Sequence, residues 1–202
     1  MKTILLLLLL LLVSCGNNYD YKNKNNDSNT STTSNYKLST TPSEKPKLLE
    51  APWTFDRFVD EFGDKTGRQY MVLSITGTFS NSATTNSCLT VDLVITSNSA
   101  DFRLYEYCRI HPVKNFHSDG TLYTMKTKDQ AGVRHDFYLK NYEEALVFYQ
   151  MFSDSPGEKE FQNLLTKSTL LKVHMYETEN QTTEYNFNIN CIGYNKAFKK
   201  LF

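Results

Sequence analysis

Asn141 to Phe152, NYEEALVFYQMF, is the stretch on which the fold class turns. Upstream of it, apolar residues alternate with polar ones. Here the period lengthens, and Tyr142, Ala145, Leu146 and Tyr149 fall on one helical stripe. Asn141 stands in the N-cap position. Glu143 and Glu144 occupy the first turn, where negative charge suits the helix dipole. The spacing predicts a helix over 141–152.

Working outward, Ser155-Pro156-Gly157 breaks the chain, and Glu158 to Ser168 reads as a second helix with Phe161, Leu164 and Leu165 apolar. Near the start of the folded part, Phe55, Phe58, Val59 and Phe62 follow i, i+3, i+4, i+7, which predicts a short helix ended by Gly63-Asp64-Lys65-Thr66-Gly67. Strands are expected over 69–79, 89–95, 102–110, 122–128, 133–139, 170–177 and 184–191. Leu89, Val91, Leu93 and Ile95 give the cleanest alternation. Beyond Gly193, the residues Tyr194, Ala197, Phe198 and Leu201 make a final helical stripe. The expected class is α+β: a mostly antiparallel twisted sheet or small sandwich with two to four short helices. Most connections are too short for parallel crossovers.

The N-terminus carries an address. Lys2 precedes an apolar run from Ile4 to Val13, which is too short to span a bilayer and has the length of a signal-peptide core. Leu12-Val13-Ser14-Cys15 resembles a bacterial lipobox. The resemblance implies a signal peptide over 1–14, cleavage before Cys15, and acylation of that cysteine. Such an anchor holds a protein stably to a membrane. Gly16, in place of Asp, points to the outer membrane by the same resemblance. Residues 16–47 are rich in Asn, Ser, Thr, Lys and Tyr and have no hydrophobic period, so 15–47 reads as a lipidated cysteine and a disordered tether. A flexible chain of that length spans roughly 30 Å. Residues 48–202 form one domain. With 22 basic and 22 acidic residues the net charge is zero, so no global basic field recruits nucleic acid, and none is expected as a partner.

Cys88, Cys108 and Cys191 follow Cys15. An oxidising envelope allows a bridge. Pairing strands 89–95 and 102–108 around Asn98-Ser99 sets Ile95 against Phe102, Leu93 against Leu104 and Leu89 against Cys108. Cys88 then sits opposite Arg109, with its side chain on the other face of the sheet from Cys108. A Cys88–Cys108 bridge needs a one-residue slip, such as a bulge. Otherwise all three are small buried hydrophobes.

Catalytic chemistry is not signalled. There is no GxSxG, GxxxxGK[ST] or GxGxxG, no CxxC, and no zinc-ligand spacing. No cofactor and no metal site is expected. Asp60, Glu61 and Asp64 read as a helix end and a solvated turn rather than a Ca²⁺ loop. The alternative, an envelope hydrolase or metal-dependent enzyme, needs His111, His117 or His135 to be gathered by the fold. The stronger signal is aromatic. Arg103, Tyr105, Tyr107 and Arg109 share one face of strand 102–110, and Tyr and Arg dominate binding hot spots. Against that, the helix over 141–152 would cover this face. Ser80 to Ser87 is a polar connection whose Ser80, Asn81, Thr84 and Asn86 can build turns without glycine, or serve as a recognition loop.

Tyr185-Asn186-Phe187-Asn188-Ile189 followed by Gly193-Tyr194-Asn195-Lys196-Ala197-Phe198 resembles the terminal strand-Gly-aromatic helix of the invasion-associated locus B proteins. That implies an exported β-rich envelope protein and assigns no site residue. The function expected is a non-enzymatic, lipid-anchored envelope module that binds a protein or glycan. A ligand-free spacer is the third reading.

Overall fold

The computed structural model describes residues 49–113, 120–150 and 156–201. Its strands are β1 (Thr54–Val59), β2 (Lys65–Ser80), β3 (Ser87–Ile95), β4 (Ala100–Tyr105), β5 (His111–Pro112), β6 (Leu122–Lys128), β7 (Arg134–Tyr142), β8 (Ala145–Phe148), β9 (Leu170–Glu177) and β10 (Glu184–Asn190). Period-two burial runs through them. Met71, Leu73 and Ile75 of β2, Phe102 and Leu104 of β4, Met125 of β6, Phe137 and Leu139 of β7, Val173 and Met175 of β9 and Phe187 and Ile189 of β10 are all buried. Their neighbours face outward.

The strands hydrogen-bond in the order β2-β10-β9-β6-β7-β8-β4-β3, and β3 pairs back onto β2. All these pairings are antiparallel, so the sheet closes into an eight-stranded barrel, with β1 on the lower part of β2 and β5 on β4. The expected α+β sheet or sandwich is corrected by this closure. A closed barrel leaves no unpaired edge along the seam.

Two expected helices are strands, and both errors have a physical cause. Over 141–148 the chain finishes β7, turns at Glu143-Glu144 and returns as β8, with Tyr142 opposite Ala145 and Asn141 opposite Leu146; the end of the expected helix, 151–152, lies outside the described residues. Leu146 is buried between β7 and β4. Glu143 holds the turn with φ 56°, a left-handed backbone that normally selects Gly or Asn. The turn therefore carries a helix-start sequence, and partner strands on both sides override local propensity. Over 54–59 the Phe residues lie on β1, paired with β2 from Thr54–Val72 onward. Phe55 and Val59 stay exposed, so their spacing reflects no buried stripe.

The barrel has two different ends. At the lower end lie the β3–β4 and β6–β7 turns together with α2 (Glu158–Lys167) and α3 (Tyr194–Phe198). Phe161, Leu164 and Leu165 of α2 are buried, and the Phe161 ring sits 5.5 Å from Phe102 and 5.6 Å from Phe137. Glu160 accepts the Gly157 N–H at 2.9 Å, capping α2. Tyr194 of α3 packs on Trp53, and Gly193 enters α3 with φ 88°. Buried Cys191 lies here as a free thiol, pushed up to about 12 by burial.

Gly77 is required at the seam. A Cβ there would lie 2.4 Å from the Asn186 carbonyl oxygen and 2.7 Å from the Phe187 Cβ. β10 can thus approach β2 only because residue 77 has no side chain.

Candidate functional site

The upper end of the barrel is where the chain concentrates polar side chains. It is ringed by the β2–β3, β7–β8 and β9–β10 turns and by the segment after β4. A cavity of about 890 Å³ opens there. Glu106, His111, Tyr123, Glu177 and Tyr185 line it. Eight strands enclose just enough space for side chains or one small ligand.

Each group is placed by a strand end. Tyr123, Glu177 and Tyr185 end the inward rows of β6, β9 and β10, whose lower positions are Met125, Met175 and Phe187. Tyr185 and Tyr123 are each only 2% exposed, with ring centroids 6.4 Å apart. The Tyr185 hydroxyl donates to Glu106 Oε1 at 3.0 Å. Burial raises the Glu106 carboxyl above its ordinary range, although its bond from Tyr185 and nearby His111 oppose this. Burial also drives the phenols of Tyr185 and Tyr123 far above their usual value. Tyr123, Glu106 and Glu177 add to the effect at Tyr185, as Glu177 does at Tyr123. Both phenols therefore stay protonated and remain donors.

Asn141 lies next to the mouth, beside the lining residue Lys140 on β7. It is 1% exposed, at the inward position above Leu139 on β7, and its amide approaches the Tyr123 phenol. Neither its Nδ2 nor its Oδ1 has a partner in satisfactory hydrogen-bond geometry. A buried amide left unsatisfied costs about 1–3 kcal/mol. Groups in that state call for an explanation such as a bound ligand or water.

The loop that carries Glu106 is built by a disulfide. After β4 the chain makes a single turn, α1 (Glu106–Arg109), with left-handed backbone at Tyr107 (φ 51°) and Cys108 (φ 55°). The β3–β4 register differs from the expected one by two residues: Leu93 faces Phe102 and Val91 faces Leu104. A two-residue shift keeps the apolar faces matched. The left-handed turn then swings Cys108 to Cys88, and the two are bridged with Cα atoms 5.2 Å apart. The local irregularity that such a bridge needs is thus a turn rather than a bulge. It fixes Glu106 opposite both Leu89 and His111.

The sequence-derived candidates divide between two places. Arg103, Tyr105 and Arg109 gather outside the barrel around Asp92. Arg109 Nη2 reaches both Asp92 oxygens at 2.6 and 2.8 Å and lies over the Tyr105 ring, while Arg103 sits opposite Asp92 in register. Their cations face a carboxylate of the same chain. Tyr107 leaves that face, packing edge-on against Phe79 at 4.9 Å and against His111 at 5.5 Å, beside the mouth. Among the described residues, 145–148 is β8 rather than a helix over this face.

The 80–87 connection spends its polar groups on itself. Asn81 Oδ1 accepts the Ala83 and Thr84 N–H groups, Ser80 Oγ accepts the Asn86 N–H, and Thr84 and Ser87 hydroxyls pair. Asn81 alone of Ser80, Asn81, Thr84 and Asn86 also lines the mouth. Of the histidines, His111 lies at the mouth, His135 at the lower end of β7 and His174 on the outside of β9. His117 and Cys15 lie outside the described residues. Among the described residues no three His, Cys, Asp or Glu converge as metal ligands. Asp60 instead closes the β1–β2 turn, accepting the N–H groups of Phe62 and Asp64.

Sequence reasoning missed Glu106, Tyr123, Asn141, Glu177 and Tyr185. Their one signal is a polar or Tyr residue ending an otherwise apolar inward row. It becomes visible only when the rows are known to converge. No family model, curated protein or solved structure matches the chain.

Proposed function

We propose that this chain is a lipid-anchored binding protein of the bacterial cell envelope, and that the barrel mouth holds a hydroxyl-rich ligand of the glycan class. Buried, unpartnered Asn141 carries the reading. It offers one acceptor and two donors beside Tyr123, next to a cavity whose walls include Tyr123, Tyr185 and the carboxylates of Glu106 and Glu177. Vicinal hydroxyls can donate to the carboxylates and to the phenol oxygens and accept from the Asn141 amide. Barrel mouths are a recurrent place for such sites. The lipobox resemblance at Cys15 and the tether behind it supply the anchor. Among the described residues no helix is long and apolar enough to cross a membrane.

Binding of a neutral oligosaccharide panel to the full chain in detergent tests this. Tyr185→Phe keeps the ring and removes the hydroxyl that holds Glu106. It is expected to weaken the bound glycan about tenfold, because Glu106 is no longer held in place, and to lower Tm by a few degrees as that internal bond is lost. Equal affinity of Tyr185→Phe and wild type, or no glycan bound at all, would reject the site.

A further inference from the structure

A second surface lies on the outside of the barrel, across β10, β9, β6 and β7. Lys172 of β9 stands directly opposite Lys128 of β6, and Lys128 stands directly opposite Arg134 of β7. One step along the strands, Lys126 faces His174. All are on outward positions. Directly opposed residues on neighbouring antiparallel strands lie about 5 Å apart at Cβ, and like charges placed so repel. Among the described residues Lys128, Arg134 and Lys172 form no ion pair. This row of three cations crosses a groove of about 830 Å³ whose carboxylate, Asp136, stands opposite Lys126 in register, leaving the row itself uncompensated; Asn186 and Asn188 of β10 and Thr76 and Thr78 of β2 continue the groove.

We propose that this groove binds an anionic polysaccharide, with carboxylate or sulfate groups on successive sugars. The row provides one cation per strand, about 4.8 Å apart, close to the length of one sugar ring. A chain lying across the strands can place one anion against each cation and relieve their mutual repulsion. The Asn and Thr side chains beside the row suit sugar hydroxyls. A single-stranded nucleic acid fits less well, because such grooves pair their cations with open aromatic platforms. The nearby Tyr176 ring is instead occupied by the Lys126 ammonium, 5.5 Å from its centroid. The surface is separate from the mouth and shares none of its lining residues.

The test is fluorescence anisotropy on the full chain in detergent. The probes are a labelled uronic-acid oligosaccharide, a heparin-derived oligosaccharide, a neutral oligosaccharide of equal length, and single-stranded DNA of equal charge. Salt-sensitive binding of an acidic sugar chain is expected, with the neutral chain unbound at this surface. Lys128→Gln with Arg134→Gln should weaken it at least tenfold without lowering Tm, since the pair removes repelling charges. Tyr185→Phe should leave it unchanged, so failure here and failure at the mouth are distinguishable. Unaltered affinity in the double variant, tighter binding of DNA than of either acidic chain, or absence of saturable binding would overturn the proposal.

Discussion

At the scale of single residues, three carboxylates carry the electrostatic character of the barrel ends. Glu106 at the mouth and Asp101 and Glu158 at the lower end are each raised, with burial the leading cause. The sign follows from linkage. Above the folded-state pKa these acids are charged in both states, and burial of the charge opposes folding. Below their ordinary values of 3.8 and 4.5 they are neutral in both, and the penalty vanishes. Stability from this source therefore falls as pH rises through the window between the ordinary and raised values. Thermal melts should give a Tm that falls as pH rises from about 4, the ordinary carboxylate range, toward neutrality. Asp56 is lowered by its bond from Lys65, but it is fully exposed and opposes the trend only weakly. A Tm that drops steadily on acidification from neutral pH would show that these carboxylates are not buried as described.

At the scale of elements, the 142–145 hairpin separates what was readable from what was not. Strands β2, β3, β6, β7, β9 and β10 follow from alternation, and α2 follows from its apolar stripe. Leu89, Val91, Leu93 and Ile95 are legible because each strand face has one solvent. β8 has four residues, too few for period two to outweigh a cap-like Asn141 and two glutamates. Its identity comes from β7 and β4 on either side, and that information is non-local. The same holds for the disulfide, whose bridge depends on three consecutive left-handed residues, Tyr107, Cys108 and Arg109, that no glycine announces. The hairpin makes an opposed prediction. In a helix, Glu143→Gly would cost about 1 kcal/mol. In the left-handed turn it relieves an L-residue penalty of roughly 1–2 kcal/mol, partly offset by glycine's entropy, so stability should rise by about 0.5 kcal/mol. Denaturant unfolding with an unchanged m-value checks the sign.

At the scale of the whole molecule, closure is what creates a site. The sequence shows apolar alternation with Tyr, Glu and Asn scattered at strand ends. Only a closed barrel brings Tyr123, Asn141, Glu177 and Tyr185 from four strands to one opening, and only the Cys88–Cys108 bridge adds Glu106 to them. The lower end is filled by α2 and α3, so the polar groups have one approach. The outer wall, with its cation row, faces elsewhere. A molecule so divided can hold one ligand in its mouth and another along its side. The account stands on the mouth. The most direct measurement is a ¹⁵N-resolved NMR titration of the full chain in detergent with the neutral glycan selected from the panel. Shifts confined to the Asn141 side-chain amide and to the backbone of Glu106, Tyr123, Glu177 and Tyr185 are the expected result. Shifts at Arg103, Tyr105 and Arg109 with the Asn141 amide unmoved would contradict it.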